Sequence, residues 1–292
     1  MLAVIMLALT LPVTSLAQVP QIPSSFTLSN QSVRQGDVLI VTLLPSSYSF
    51  RIPRTVVRVF DKSFEPNLVG VVHIGIDPET KPDKYKICLI GGSIYRYCTE
   101  VEVLDRKFQE IKVRSRKTVR DIPNRAYEAA AINEAYRRGD SYRNYASGSY
   151  TEPLNSILET QKFYRKVIFR DGMSVHNGVD LRASVGTAVK AVNSGRVVLT
   201  AKNFSLEGNM VILDHGSGVF SLYLHLSKIE VREGQMVKGG DTLGLAGDTG
   251  LGVTGPHLHL AVKVRGANVF NPKSNLVNVD PLEFLKMMNK NR

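Results

Sequence analysis

The segment Thr254–Val262 constrains the fold and chemistry of this chain more than any other. It reads Thr-Gly-Pro-His-Leu-His-Leu-Ala-Val, with His257 and His259 two residues apart. The alternation into apolar residues predicts a β-strand, on which residues i and i+2 share a face. Two imidazoles on one face indicate either a metal ligand beside a proton acceptor or two surface histidines at a strand end. An isolated His-x-His favours the second interpretation.

The His-x-His segment is not isolated. His176 precedes a carboxylate, Asp180, by four residues, and His225 follows in Tyr-Leu-His-Leu. A hydrolytic zinc site uses three nitrogen or oxygen ligands from the protein and keeps a fourth position open for water. His176, Asp180 and His259 would make such a set, and His225 and His257 would remain as unligated bases. Five of the six histidines fall in this carboxy-terminal region.

Ordered motifs across the same region resemble the lysostaphin/LytM-type zinc metallopeptidases, which cut peptide bonds in bacterial cell walls. The resemblance runs from about Val175 to Pro281. Its main blocks are His176–Leu181, Val185–Ala191, Gly208–Gly216, Tyr223–Leu226, Val231–Gly240 and Gly255–His259. The resemblance implies one Zn²⁺ per chain, held by His176, Asp180 and His259, with His225 and His257 as catalytic histidines. All five of these positions are intact.

The two remaining histidines suit proton transfer, for which proteins use histidine most often. We predict that His257 accepts the proton of the attacking water. His225 is predicted to stabilise the tetrahedral oxyanion or to help protonate the leaving amine. The sequence leaves the division of roles between the two open. A further histidine, His215, follows a predicted strand and is interpreted as structural.

The resemblance implies the peptide part of peptidoglycan as substrate. An apparent export signal and a β-only amino-terminal domain favour a D,D-endopeptidase that cuts D-alanyl–diaminopimelate cross-links, and a glycine-bridge endopeptidase is the alternative enzyme. Some relatives of this fold lost their ligands and only activate other wall hydrolases, but the intact ligands argue against that here. A purely structural zinc site would need a fourth ligand, and the sequence offers no convincing one.

Composition indicates a globular, exported protein. The chain has 292 residues, enough for two domains, and its 43% hydrophobic and 22% charged residues are ordinary globular values. The formal charge of +11 favours an anionic polymer as partner. No segment resembles a nucleic-acid-binding module, so we predict binding to the cell wall and not to nucleic acid.

The first residues read as a targeting segment. Met1–Ala17 is an apolar run that ends in Ser-Leu-Ala, which is typical of a secretory signal peptide with cleavage before Gln18. No Lys or Arg precedes the run, so a misassigned start or retention as an anchor stays open. No second transmembrane candidate occurs. We predict a periplasmic or secreted protein with no stable membrane span after cleavage.

Residues 24–105 are predicted to form an immunoglobulin-like β-sandwich or a small barrel. The predicted strands are Ser25–Leu28, Val38–Leu44, Thr55–Phe60, Leu68–Ile74, Tyr85–Ile90 and Ile94–Val103. Cys88 and Cys98 flank a Gly-Gly-Ser turn, so a hairpin would place them opposite each other. A disulfide is expected in an oxidising compartment, and two buried thiols are the alternative.

Residues 106–149 are predicted to be a basic linker with one helix, Asn124–Arg138, which Gly139 would end. Residues 150–286 are predicted to form the β-sheet, barrel-like metallopeptidase domain. Its entry, Thr160–Arg165, departs from the family pattern Ser-x-Phe-Gly-x-Arg, since Tyr164 stands at the glycine. This departure affects the predicted shape of the first loop beside the groove. Separately, the amino-terminal domain is a candidate for blocking that groove.

Overall fold

The computed structural model describes residues 26–44, 55–91, 95–115, 122, 124–267 and 275–291. This part of the chain is mainly β-sheet with two short helices, as the sequence predicts. The predicted signal peptide, Met1–Ala17, lies outside the described residues. No helix in the described ranges is long and apolar enough to span a membrane.

Two sheets form the amino-terminal region. The first has the order β1-β3-β6 and the second the order β2-β8-β7-β4-β5. The strands are β1 (Phe26–Leu28), β2 (Ser32–Arg34), β3 (Val38–Leu43), β4 (Thr55–Val59), β5 (Lys62–Phe64), β6 (Val71–Gly75), β7 (Asp83–Gly91) and β8 (Tyr95–Leu104). Leu39 and Ile74 of the first sheet share one buried core with Val57 and Ile87 of the second. A two-sheet β fold is therefore present, and the immunoglobulin-like assignment stays a prediction.

The hairpin β7–β8 carries the two cysteines. Cys88 lies directly opposite Cys98 in the antiparallel register, and the structure joins them in a disulfide. The expected pairing is therefore confirmed. The disulfide links β7 and β8, which are the two longest strands of the amino-terminal region.

The remaining chain builds a second β region around one long sheet. Its elements are β9 (Glu110–Lys112), α1 (Arg125–Arg137), β10 (Glu159–Gln161), β11 (Lys166–Phe169), β12 (Gly172–Val175), β13 (Val179–Arg182), β14 (Ala188–Lys190), β15 (Gly195–Phe204), β16 (Gly208–Asp214), β17 (Val219–Leu226), β18 (Lys228–Ile229), β19 (Met236–Val237), β20 (Thr242–Leu245), β21 (His257–Arg265), β22 (Leu276–Val279) and α2 (Pro281–Lys290). The long sheet has the order β10-β13-β21-β17-β16-β15-β19, and β22 also pairs with β21. Small sheets β14-β20-β18 and β12-β11-β9 flank it.

Strand β21 divides its side chains between two environments. Leu258, Leu260, Val262 and Val264 are fully buried in the main core. Successive side chains on a strand point to opposite faces. The alternate residues of β21 therefore face the other side of the sheet, and these are His257, His259, Ala261 and Lys263. The core therefore sets the direction in which the histidines point.

Helix α1 covers part of that other face. The predicted helix is confirmed, with Asn124 as its amino-terminal cap residue and Gly139 just beyond its end. Its residues Ala135 and Tyr136 pack against Phe220 and Leu222 of the sheet. Arg125 makes two hydrogen bonds of 2.8 and 2.9 Å to the Glu207 carboxylate. The linker helix is thus docked on the sheet at both ends.

Helix α2 was not predicted from the sequence. Its signals are Asp280, which caps the amino terminus by accepting from the Leu282 and Glu283 amides, and Pro281 in the first turn. Asp280 also forms an ion pair with Arg106, and its amide donates to the Gly36 carbonyl at 2.8 Å. This helix therefore joins the two β regions.

Two buried histidines make stability depend on pH. Burial lowers the pKa of His73 and of His215 to about 4. An unfolded histidine titrates near 6.5, so between pH 6.5 and 4 the unfolded chain binds more protons. The stability is complete above about pH 6.5 and is lost as the pH falls towards 4, by on the order of 1–2 kcal/mol per histidine at pH 5.

We expect the melting temperature of a His73→Leu variant to fall less between pH 7 and pH 5 than that of the wild type, because a leucine side chain at this position has no proton to bind. Thermal melting at the two pH values measures this difference. Melting at pH 7 and 8, where neither histidine titrates, is the control. An equal loss in both proteins would contradict the prediction.

Candidate active site

Three side chains with metal-binding atoms meet at one point beside β21. Asp180 Oδ1 lies 2.9 Å from His176 Nε2 and 2.8 Å from His259 Nδ1. The two histidine nitrogens are 3.0 Å apart. These are the three residues that the sequence predicts as ligands, and they form a group that could hold a metal ion.

Strand pairing brings the three together. In the antiparallel pair β13–β21, Asp180 lies directly opposite His259, and opposite residues on one face of such a pair touch each other. His176 begins the loop that follows β12 and lies four residues before Asp180. Gly178 in this loop has no room for a side chain, since a Cβ there would lie 2.6 Å from His259 Nε2. Glycine is therefore required for the close approach of loop and ring.

Backbone carbonyls orient the rings of the other histidines. His176 Nδ1 donates to the Lys162 carbonyl at 2.9 Å. His225 Nδ1 and His257 Nδ1 donate to the carbonyls of Thr249 and Gly255, each at 2.8 Å. A carbonyl only accepts, so each of these rings carries a proton on Nδ1. The Nε2 lone pairs of His225 and His257 are then free, whereas His176 Nε2 faces Asp180 Oδ1. Such outer partners hold a ring in the tautomer that binds a metal or accepts a proton.

His225 and His257 form a second pair next to the ligand group. Their ring centroids are 4.9 Å apart, and His225 lies 5.9 Å from His259. His257 Nε2 is 3.5 Å from Asp180 Oδ1. His225 has a left-handed backbone with φ of 63°, which costs a non-glycine residue free energy and is common at functional sites. The structure thus brings all five predicted residues into one cluster.

Burial shapes the charge of the cluster. Burial raises the pKa of Asp180, but hydrogen bonds and charges from His176 and His259 outweigh it and hold that pKa below its usual value. Burial, reinforced by the neighbouring His259, lowers the pKa of His225 to about 4. Burial also lowers the pKa of His259. Asp180 is therefore a carboxylate, and His225 and His259 are held neutral at neutral pH. Carboxylate and neutral imidazole are donors that Zn²⁺ takes in catalytic sites.

The cluster lies in a groove of about 670 Å³. Strands β16, β17 and β21 form its floor, with Met210, Leu224 and Ala261, and helix α1 forms one wall, with Ile132 and Tyr136. No described residue before Arg125 lines this groove. Blocking of the groove by the amino-terminal domain therefore finds no support in the described ranges, and the segment beside the groove is the linker helix.

The fold accommodates Tyr164 at the position where the family pattern has a glycine. Its backbone keeps the left-handed conformation expected of the glycine it replaces, with φ of 56°. Its amide donates to the His176 carbonyl at 2.8 Å, and its hydroxyl donates to Glu79 Oε1 at 2.9 Å. Lys166 Nζ lies 2.9 Å from the same oxygen. Glu79, in the amino-terminal region, thus supports the segment that holds His176.

Other candidates lie elsewhere. His215 is buried, with Nδ1 bonded to the Ser194 carbonyl and Nε2 to Ser221 Oγ, so its structural role is confirmed. Sequence reasoning missed the orienting carbonyls of Lys162, Thr249 and Gly255, because any residue type supplies a carbonyl. It also missed the groove wall formed by α1, whose sequence indicates only a helix.

We expect a Glu79→Ala variant to bind a divalent metal about three- to tenfold more weakly, a smaller loss than removal of a direct partner of a ligand causes. The reason is that Tyr164 and Lys166 would lose the acceptor that positions the His176 segment. Competition with a chromogenic chelator measures the affinity. Glu65→Ala is the matched control, since Glu65 accepts from Tyr142 away from the cluster. Equal affinities in the two variants would refute the role of Glu79.

Comparison with known proteins matches this region. The model of Peptidase family M23 matches residues 174–272. ShyA of Vibrio cholerae, described as a peptidoglycan DD-endopeptidase, is 46% identical over 101 residues, which are 35% of this chain and 23% of ShyA. Lysostaphin of Staphylococcus simulans is 40% identical over 113 residues, 38% of this chain and 22% of lysostaphin. The chain thus spans about a quarter of the length of these curated relatives.

A likeness in fold extends further along the chain. A crystal structure from Pseudomonas aeruginosa, whose description assigns it to peptidase M23, is 25% identical with a TM-score of 0.59. The superposition covers 86% of this chain and 93% of that one. The matched residues 174–272 contain His176, Asp180, His225, His257 and His259. Residues 174–272 therefore match a domain of Peptidase family M23.

Proposed function

We propose that this protein is a zinc metallo-endopeptidase that hydrolyses peptide cross-links of bacterial peptidoglycan, with D-alanyl–diaminopimelate bonds as its target. The observation that carries the proposal is the convergence of His176, Asp180 and His259 in a groove next to two histidines with free Nε2 atoms. The relative ShyA, described as a DD-endopeptidase, supports the choice of bond.

His176 Nε2, Asp180 Oδ1 and His259 Nδ1 would hold one zinc ion per chain. Zinc in such a site lowers the pKa of a coordinated water and polarises a carbonyl. The donor set fits it, because two imidazoles and one carboxylate are typical of hydrolytic zinc sites and leave a position open. The matched domain family supports the presence of a metal.

The chain's own histidines would move the protons. His257 Nε2 is a free acceptor, and the Asp180 carboxylate 3.5 Å away stabilises the imidazolium that forms when the ring takes up a proton. We therefore assign His257 as the general base towards the attacking water. Burial disfavours a charged His225, so this ring is neutral before the reaction and must first receive a proton. His257 would hold that proton once it has accepted it from the water, and the two ring centroids are 4.9 Å apart. His225 would then protonate the leaving amine or donate to the oxyanion.

The rest of the chain fits an envelope enzyme. We propose a signal peptide at residues 1–17, a β domain at 24–105, a linker at 106–149 and the peptidase domain at 150–286. The Cys88–Cys98 disulfide supports an oxidising compartment, the periplasm or the exterior. The formal charge of +11 supports an anionic wall as partner.

Mass spectrometry of muropeptides tests the proposal. Peptidoglycan of the diaminopimelate type is digested with the protein plus zinc, the protein plus chelator, and a His259→Ala variant. We expect cross-linked dimers to disappear only in the zinc sample, because the other two lack the metal. Dimers that persist in the presence of bound zinc would refute this choice of bond, and peptidoglycan with glycine bridges then tests the alternative enzyme.

We expect His257→Ala to lower kcat by about 10²- to 10⁴-fold, the usual contribution of a general base, while one zinc per chain stays bound. Metal analysis and the muropeptide assay measure the two quantities on the same preparation. His259→Ala is the comparison, since it should lose both metal and turnover. A His257→Ala protein with full turnover would show that another group is the base.

A further inference from the structure

A second polar site lies in the same groove, further along β21. His257, His259, Ala261 and Lys263 share the groove face of this strand. Four residues of β-strand separate His259 from Lys263, which is ~13 Å between their Cα atoms. The groove that holds the histidine cluster also reaches Lys263, Tyr136 and Asn278. A peptide that lies along the groove from the metal-ligand cluster would meet Lys263.

Lys263 contributes a positively charged ammonium group to the groove. Within the described ranges the structure gives it no ion pair, and its Nζ lies 5.8 Å from the ring centroid of Tyr136. Burial lowers its pKa to about 8, and Asp77 is the carboxylate whose charge opposes this. Lys263 is half-buried in the groove, and a lysine that loses part of its hydration gains from a charged partner. An anion in the groove would supply the missing partner.

Tyr136 adds an independent sign of a missing ligand. Its hydroxyl is buried and finds no hydrogen-bond partner among the described residues, although its ring lies against Phe220 with the centroids 5.2 Å apart. A buried donor without an acceptor costs about 1–3 kcal/mol. The hydroxyl comes from helix α1 and the ammonium from β21, so two separate elements place hydrogen-bond donors at the same end of the groove.

We propose that Lys263 and Tyr136 form a carboxylate-binding subsite of the substrate groove. The inference rests on the proposed function and deepens it. Its ligand is an acidic group of the substrate peptide about four extended residues, or ~13 Å, from the bond that is cut. An ammonium and a hydroxyl donate to a carboxylate, whereas an amide at the same position would gain neither charge nor full hydrogen bonding. The subsite therefore selects free acids over amidated peptides.

Binding without turnover tests the subsite. The probes are a cross-linked diaminopimelate-type muropeptide dimer with free carboxylates and the same dimer with these groups amidated. Calorimetry on the slow His257→Ala protein should give at least tenfold tighter binding of the acid dimer, since hydrogen bonds to charged groups exceed neutral ones. Adding Lys263→Met should abolish this preference and leave binding of the amidated dimer within about twofold. Tyr136→Phe should lower the preference by about threefold.

Matched measurements separate the subsite from a structural role. Lys228→Met removes an exposed lysine that pairs with Glu230 and should keep the full preference. Lys263→Met should melt at the same or a higher temperature, because the half-buried ammonium has no ion pair within the described ranges and methionine removes its desolvation cost. A lower melting temperature with the acid preference unchanged would show that Lys263 only clamps helix α1, and would overturn the proposal.

The outcome also separates this inference from the proposed function. If the unmodified protein cleaves peptidoglycan but binds both dimers equally, the subsite is refuted and the peptidase function stands. If it neither cleaves peptidoglycan nor binds either dimer, both proposals fail. An acid preference without cleavage would support the subsite and refute the endopeptidase assignment.

Discussion

The candidate site depends on strand β21, which packs one face into the hydrophobic core and turns the other face to the groove. Four of its side chains, Leu258, Leu260, Val262 and Val264, are fully buried, and each such burial is worth about 1.5–3 kcal/mol. A shift of one residue in register would expose all four and turn His257 and His259 into the core. The same register places Asp180 opposite His259. The geometry of the candidate metal ligands is thus a by-product of apolar packing on the far side of the sheet.

Hydrogen bonds from the backbone around the cluster orient its histidine rings. Three carbonyl groups hold a proton on Nδ1 of three histidine rings, which turns Nε2 of His176 towards Asp180 and leaves Nε2 of His225 and His257 as acceptors. Two of these carbonyls, those of Thr249 and Gly255, come from the segment that leads into β21. Since carbonyls belong to the backbone, the tautomers are fixed by the path of the chain and not by side-chain chemistry.

The regions outside the matched domain contribute to the groove in different ways. The amino-terminal sheets lie away from the groove, yet Glu79 supports the segment beside His176 through Tyr164 and Lys166. The linker helix α1 builds a groove wall and is tied to the sheet through Arg125 and Glu207. The Glu207 carbonyl in turn accepts from the His225 amide at 3.0 Å. The linker and the amino-terminal region therefore both contact the surroundings of the site.

The sequence by itself determined the β-rich class, the helix at Asn124–Arg138, the paired cysteines and the five clustered residues. These follow from local order: strand alternation, turn residues and motifs whose spacing lies within a few residues. The tertiary structure alone decided the tautomers, the support from Glu79, and the meeting of Tyr136 with Lys263 in one groove. Apart from the bond between His257 and the Gly255 carbonyl, each of these joins residues that are far apart in the chain. Such contacts depend on how the sheet packs and curves, and a local pattern carries no record of that packing.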